Sequence, residues 1–257
     1  MSRRLKAVIF DVDGTLVDSE RHGHRVAFNQ AFADFGLPDH WDEATYGELL
    51  AVTGGQRRID GWLARRGMAE AERAALAPAL HARKTAIFNG LVEAGKVPAR
   101  PGVVRLVGQL AGAGVRLAVA TTGSRAWVEP ALARALPGVA IEVVVAGDEV
   151  AERKPDPEAY LVVLDRLGVV PGAAVAVEDS ANGLRSAAAA GVACAVVANP
   201  YTAGDDFGGA DLVLDGFGEP DRPARVLADP HGTGCTGVLD LATLDALVLD
   251  GGPRPGA

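Results

Sequence analysis

Six short apolar runs constrain this chain more than any other feature: Ala7–Phe10, Arg116–Thr121, Val143–Ala146, Ala174–Glu178, Ala193–Val197 and Leu212–Leu214. Runs of this length, bounded by glycine or charge, read as buried strands. From Arg116 onward helical patterns separate them, the signature of right-handed βαβ units and a parallel sheet. The expected fold class is therefore α/β, with a doubly wound, Rossmann-like core. Between the first run and the second lie roughly a hundred residues rich in Ala, Leu, Arg and Glu at helical spacing, far too many for a loop. This stretch, residues 16–96, reads as an inserted helical module; because it leaves the core at a strand's carboxyl end, it is expected to act as a lid. The core then comprises residues 1–15 and 97–220, with re-entry at Val97-Pro98-Ala99-Arg100-Pro101-Gly102. Residues 221–257 are expected to be an extension packing on the core, with a helix over Leu239–Leu249 and a frayed Gly/Pro tail.

Composition narrows the function. The chain has 257 residues, 49% of them apolar, enough to bury one sizeable core. A net charge of −8, with no basic cluster longer than Arg57-Arg58 or Arg65-Arg66, points away from nucleic acid and toward a small-molecule partner. Cys194 and Cys235 have neither zinc-site spacing nor the density of a disulfide scaffold. The apolar run at the start stops at Asp11, too short for a secretory signal, and Ala187–Ala198 falls short of the roughly 18 residues a membrane span needs. A monomer in the cytoplasm, away from membranes, is expected.

The first run ends in Asp11-Val12-Asp13-Gly14-Thr15. Side chains at i and i+2 of a strand share a face, so both aspartates leave on one side. At the carboxyl edge of a parallel sheet, where open α/β folds place their ligands, such a pair is a costly repulsion unless a cation or reacting group sits between. An EF-hand loop is excluded, because its glycine belongs at position 6 and Gly14 stands at position 4. Gly90-Leu91-Val92-Glu93-Ala94-Gly95-Lys96-Val97 lacks the final hydroxyl residue of a P-loop and follows a helical pattern.

Three further strand ends carry chemistry. Thr121-Thr122-Gly123-Ser124, ahead of a helix starting near Arg125, supplies hydroxyls and free amides suited to a phosphate, or equally to helix capping. Lys154 is followed by Pro155, which biases it toward extended backbone, with Asp156 and Pro157 reading as the next helix's N-cap and first residue. Glu178-Asp179 closes the fourth strand; the pair suits Mg2+, with helix capping by Asp179 as the alternative.

In this order, each closing a strand, these segments resemble the four motifs of the haloacid dehalogenase superfamily of phosphohydrolases. The resemblance implies an aspartyl-phosphate mechanism with Asp11 as nucleophile and Asp13 as general acid/base. Thr121 and Lys154 would hold the transferred phosphoryl, and Thr122, Ser124 and Arg125 would stand on the substrate side. It further implies Mg2+ held by Asp11, the Asp13 carbonyl, and Asp179 or Glu178.

Within the insert, Gly23–Asn29, Tyr46–Leu50 and Thr53–Ile59 resemble the caps of the phosphatases encoded in Calvin-cycle operons, which remove the 1-phosphate of xylulose 1,5-bisphosphate, a Rubisco inhibitor. By that resemblance Glu20, His24, Tyr46, Gly54, Gly55, Gln56, Arg57 and Arg58 line the substrate. Gln56 departs from the lysine of that subfamily, which leaves Arg58, with Arg57, as the fork for a distal phosphate. The alternatives are a phosphomutase of the β-phosphoglucomutase type, a broad sugar-phosphate phosphatase and a non-catalytic sugar-phosphate sensor.

Overall fold

The computed structural model describes residues 4–52 and 54–248. The chain separates into two compact units, Asp18–Pro98 and Met1–Val17 with Ala99–Ala257.

The first unit is helical. A π-helical turn over Glu20–His24 runs into α1 (Arg25–Asp34), followed by α2 (Glu43–Leu49), α3 (Gly55–Arg65) and α4 (Glu70–Glu93). Phe28 and Phe32, one turn apart on α1, both pack on the buried Trp41, with ring centroids 4.8 Å away in each case. Asn29 fixes Trp41's backbone, accepting from its N–H at 2.7 Å and donating to its carbonyl at 2.9 Å. Asp42 caps α2 by accepting from Thr45 N–H at 2.8 Å. Helix α4 buries Ala77, Leu80, Lys84, Phe88 and Val92, a stripe at three- and four-residue spacing that is apolar except for its lysine.

The second unit is a seven-stranded sheet flanked by helices. Its strands are β1 (Ala7–Phe10), β2 (Arg116–Ala120), β3 (Val143–Val145), β4 (Ala174–Glu178), β5 (Ala193–Val197), β6 (Leu212–Leu214) and β7 (Val226–Ala228), in the spatial order β3-β2-β1-β4-β5-β6-β7. All neighbours run parallel except β6 and β7. The helices are α5 (Val103–Gly112), α6 (Arg125–Ala135), α7 (Glu158–Leu167), α8 (Ala181–Ala189) and α9 (Leu241–Ala246). Alternate residues of β1, β2, β4 and β5, among them Ala7, Ile9, Ala118, Ala120, Ala174, Ala176 and Cys194, join Tyr160, Val163 and Leu164 of α7 and Leu184 and Ala187 of α8 in one core. Alanines on that face let the helices approach closely, and burial on both faces explains why the strands read as continuous apolar runs.

Three expectations shift. Helix α7 begins at Glu158 with Pro157 at its N-cap, because Asp156 accepts from Glu158 N–H at 2.9 Å and so sits one position further out than the sequence suggested. The C-terminal helix covers only Leu241–Ala246, and Leu249 and the tail fall outside the described residues. Strand β7 was not expected: it pairs antiparallel with β6 and brings residues beyond 220 onto the sheet, where Arg105 of α5 donates to the carbonyls of Gly218 and Leu239 at 2.8 and 3.0 Å. Among the described residues no helix is long and apolar enough to cross a membrane.

From β1 the chain steps outward through β2 and β3, then returns to β4 on β1's other side. The β1–β4 crevice is thus the topological switch point, where open α/β sheets bind ligands at the carboxyl strand ends.

Candidate active site

Asp11 follows β1 directly, and its N–H donates to Val177 O at 3.0 Å, extending the β1–β4 ladder by one residue. This buries its carboxylate at the switch point. Lys154 reaches it from the segment ahead of α7. Its ammonium donates to Asp11 Oδ1 at 2.7 Å, Glu178 Oε1 at 2.5 Å and the Ala120 carbonyl at 2.8 Å, which uses all three of its hydrogens. The lysine side chain is only 4% exposed, so these ion pairs are buried. Tyr160 of α7 donates its hydroxyl to the same Glu178 oxygen at 2.5 Å. Tyr160 plays no part in the sequence argument; its place on the buried face of an amphipathic helix does not reveal a polar partner.

The acids of β4 are not interchangeable. Glu178 is wholly buried, and among the described residues its Oε2 has no hydrogen-bond partner. A Cβ at position 183 would fall 1.9 Å from that oxygen, so only glycine leaves room for the carboxylate. Asp179 accepts from Thr15 Oγ1 at 3.1 Å and from Asn199 Nδ2 at 2.6 Å. It does not cap α8: Ser180 does, accepting from Gly183 N–H at 3.1 Å. Asp11, Glu178 and Asp179 each offer an oxygen within 4.8 Å of the others. Three carboxylates with one ammonium leave excess negative charge, and a buried oxygen without a partner is costly. Such an all-oxygen set fits a hard divalent cation. The half-buried side chain of Asp13 is not in this set.

Burial, reinforced by the charges of Glu178 and Asp13 and opposed by Lys154, raises Asp11 to about 7. Burial, then Asp11 and Glu178, holds Asp179 well above the ordinary carboxylate range, with Arg100 pulling the other way. Burial draws the Lys154 ammonium down, but Asp11 and Glu178 outweigh it and its affinity for the proton rises. Between the unfolded carboxylate's pKa near 4 and about 7, the folded state binds more protons at Asp11 than the unfolded state does, so stability falls as pH rises. In metal-stripped protein, the stability of Asp11→Asn relative to wild type should therefore grow across that window in denaturant titrations; a pH-independent difference would contradict the burial of an ionisable Asp11.

At the turn after β2, Thr121 is buried and its Oγ1 accepts from Gly123 N–H at 3.2 Å. Thr122 is exposed, and its carbonyl lies where a Cβ at position 147 would come within 2.2 Å, so Gly147 admits the turn. Ser124 stands at the N-cap of α6 without a side-chain capping bond; Asp148 instead accepts from Arg125 N–H at 3.1 Å. The structure does not offer Arg125 to a substrate. Its guanidinium is bound by Glu129, Glu149 and, at 2.8 Å, the Val144 carbonyl.

In the helical unit, Arg58 is buried. It is turned inward, donating to Leu49 O at 3.0 Å, Val52 O at 3.3 Å and Tyr46 Oη at 3.3 Å, so it clamps the turn between α2 and α3 instead of presenting a fork. Tyr46 in turn donates to Glu20. Gln56 and Arg57 are exposed, and Thr53 lies outside the described residues. Gly54, at φ +92°, is the N-cap of α3 with no side-chain capping bond, and a Cβ at Gly55 would meet the His81 ring at 2.9 Å. His24 stacks on Phe88 at 3.9 Å, and its Nδ1 lies 2.8 Å from Lys84 Nζ. The buried Lys84 stands 4.9 and 5.0 Å from the ring centroids of Phe28 and Phe88. Burial, then Lys84 and His24, lowers His81. Sequence reasoning missed Lys84 and His81; the signal for Lys84 was a lone cation in the apolar stripe of α4.

Against known proteins, the sequence model of the haloacid dehalogenase-like hydrolase family matches residues 5–191. The chain is 45% identical over 220 residues to Protein CbbY of Cereibacter sphaeroides, covering 84% of this chain and 94% of that protein. It is 33% identical over 208 residues to Phosphoglycolate phosphatase 1 of Pseudomonas aeruginosa, covering 79% and 73%. A crystal structure of a CbbY variant from Rhodobacter sphaeroides, in complex with xylulose-(1,5)bisphosphate, matches with a TM-score of 0.69 at 40% identity, covering 94% of this chain and 99% of that one. A family match over most of the chain, with this identity to CbbY, makes the protein a haloacid dehalogenase-like hydrolase of the CbbY-like group, an enzyme that acts on phosphate esters.

Proposed function

We propose that this enzyme removes one phosphate from a sugar bisphosphate through an aspartyl-phosphate intermediate, and that the sugar is xylulose 1,5-bisphosphate. The observation that carries the reaction is Lys154 held between Asp11 and Glu178, because an anionic carboxylate attacks an anionic ester only where fixed cations offset the repulsion. Asp11 attacks phosphorus in line, and Thr121 and Lys154 hold the equatorial oxygens. Asp13 gives a proton to the departing alkoxide, then takes one from the water that opens the acyl phosphate. Asp11, the Asp13 carbonyl and Asp179 or Glu178 would hold Mg2+, which would supply charge neutralisation and favour the ionised form of Asp11. Similarity to CbbY, whose variant binds xylulose-(1,5)bisphosphate, supports the sugar.

The helical unit's Lys84, with the ring nitrogens of His24 and His81 and the uncapped start of α3, forms a donor set, which we assign to the second phosphate in place of Arg58. Phosphate release across sugar mono- and bisphosphates tests the substrate. Xylulose 1,5-bisphosphate should be preferred, and Lys84→Met should cut that preference over xylulose 5-phosphate by at least about tenfold, or roughly 1.4 kcal/mol of differential transition-state binding. An unchanged preference would remove Lys84 from the second phosphate's site. Isomerised sugar phosphate without free phosphate would replace the phosphatase by a phosphomutase.

A further inference from the structure

We propose that Arg100 is a positioning residue for the acidic site, acting through Gly14 and the turn at Asn199; this rests on the reading of Asp11 and Asp179 as cation ligands. Arg100 stands where the chain re-enters the sheet unit, and no step of the reaction uses it. Its Nη1 donates to the carbonyls of Gly14 and Val197 at 2.7 and 2.8 Å, and its Nη2 to that of Ala198 at 2.7 Å. Its backbone N–H donates to Leu16 O at 3.0 Å, and its guanidinium lies 5.5 Å from the Phe217 ring centroid. One planar fork therefore ties the loop after β1 to the end of β5. An ammonium on a flexible stem lacks the planar fork that fixes these three carbonyls in one geometry.

What the fork fixes is the distance between that loop and Asp179. Gly14 adopts φ +81°, and a Cβ there would fall 2.5 Å from Asp179 Oδ2 and 3.0 Å from Asn199 Nδ2. The loop backbone thus lies directly against the carboxylate. Asn199 grips the same Oδ2 at 2.6 Å, while its side-chain Oδ1 accepts from the N–H groups of Tyr201 and Thr202 at 2.8 and 3.2 Å. Thr15, next to Gly14, holds Asp179 Oδ1. Asp179 is oriented by one residue from each of the two segments that Arg100 joins, so loosening the fork misaligns it relative to Asp11.

The test compares wild type with Arg100→Lys, Arg100→Gln and Asp179→Asn in three measurements: Mn2+ titration followed by electron paramagnetic resonance, thermal unfolding, and hydrolysis of an aryl phosphate. Both Arg100 variants should bind Mn2+ at least about tenfold more weakly, as loss of an outer partner of a metal ligand does, while KM at saturating Mn2+ stays within about twofold. The lysine variant keeps the charge and separates geometry from electrostatics. Wild-type Mn2+ affinity in Arg100→Lys, or a parallel loss of metal affinity, KM and melting temperature in both variants, overturns the positioning role. Wild-type Mn2+ affinity in Asp179→Asn overturns the underlying cation site instead.

Discussion

Asp11→Asn should lower phosphate-ester turnover by at least about a thousandfold while leaving the fold intact, because losing a nucleophile removes the covalent route outright. The amide has nearly the shape of the carboxylate, and its oxygen can still accept from Lys154, whose other two hydrogens keep Glu178 and the Ala120 carbonyl. The backbone bond from residue 11 to Val177 is untouched. Circular dichroism and melting temperature should therefore match wild type within a few degrees, and metal-free protein at neutral pH gains from losing a buried ionisable group. The chemistry has no substitute nucleophile at that position: the charge on Glu178 is committed to Lys154 and Tyr160, and Asp179 to Thr15 and Asn199. Retention of a tenth or more of wild-type turnover in carefully purified variant would assign the attack to another group.

The sheet was legible because its physics is local to each strand. Parallel strands buried on both faces must be apolar throughout, so β1, β4, β5 and β6 stand at the bounds that the apolar runs suggest. The grouping of Asp11, Thr121, Lys154 and Glu178-Asp179 followed from topology, since right-handed crossovers bring successive carboxyl ends to one edge. Strand β7 was hidden because all three of its residues are exposed and carry no burial alternation. Arg58 and Arg125 take protein partners that the sequence does not indicate, for a different reason. A guanidinium bonds whichever oxygens the fold delivers, and neither the carbonyls of Leu49 and Val52 nor the carboxylate of Glu149 can be placed beside it from spacing alone. Tyr160 and Lys84 share that difficulty in reverse, since each sits in an apolar stripe whose periodicity says only that it is buried.

Lys154→Met separates the lysine's structural work from its catalytic work. Methionine nearly fills the aliphatic volume but supplies no donor, so Asp11 Oδ1, Glu178 Oε1 and the buried Ala120 carbonyl lose their shared partner. Removing one member of a buried ion pair typically costs about 3–5 kcal/mol, because the remaining charge stays buried uncompensated. The loss should be larger at pH 8 than at pH 5, where protons can neutralise the facing carboxylates. Adding Glu178→Gln removes one of those charges and lets Tyr160 keep its bond to the amide oxygen, so the double variant should recover a substantial part of the stability, a coupling that a double-mutant cycle reads directly. Activity should not return with it. The ammonium is the fixed positive charge beside the attacking oxygen, and losing one preorganised donor to developing charge costs about 10²–10³ in rate. A double variant that regains both stability and turnover would mean that Lys154 serves only the fold, and a single variant as stable as wild type at pH 8 would mean that Asp11 and Glu178 are not jointly charged around it.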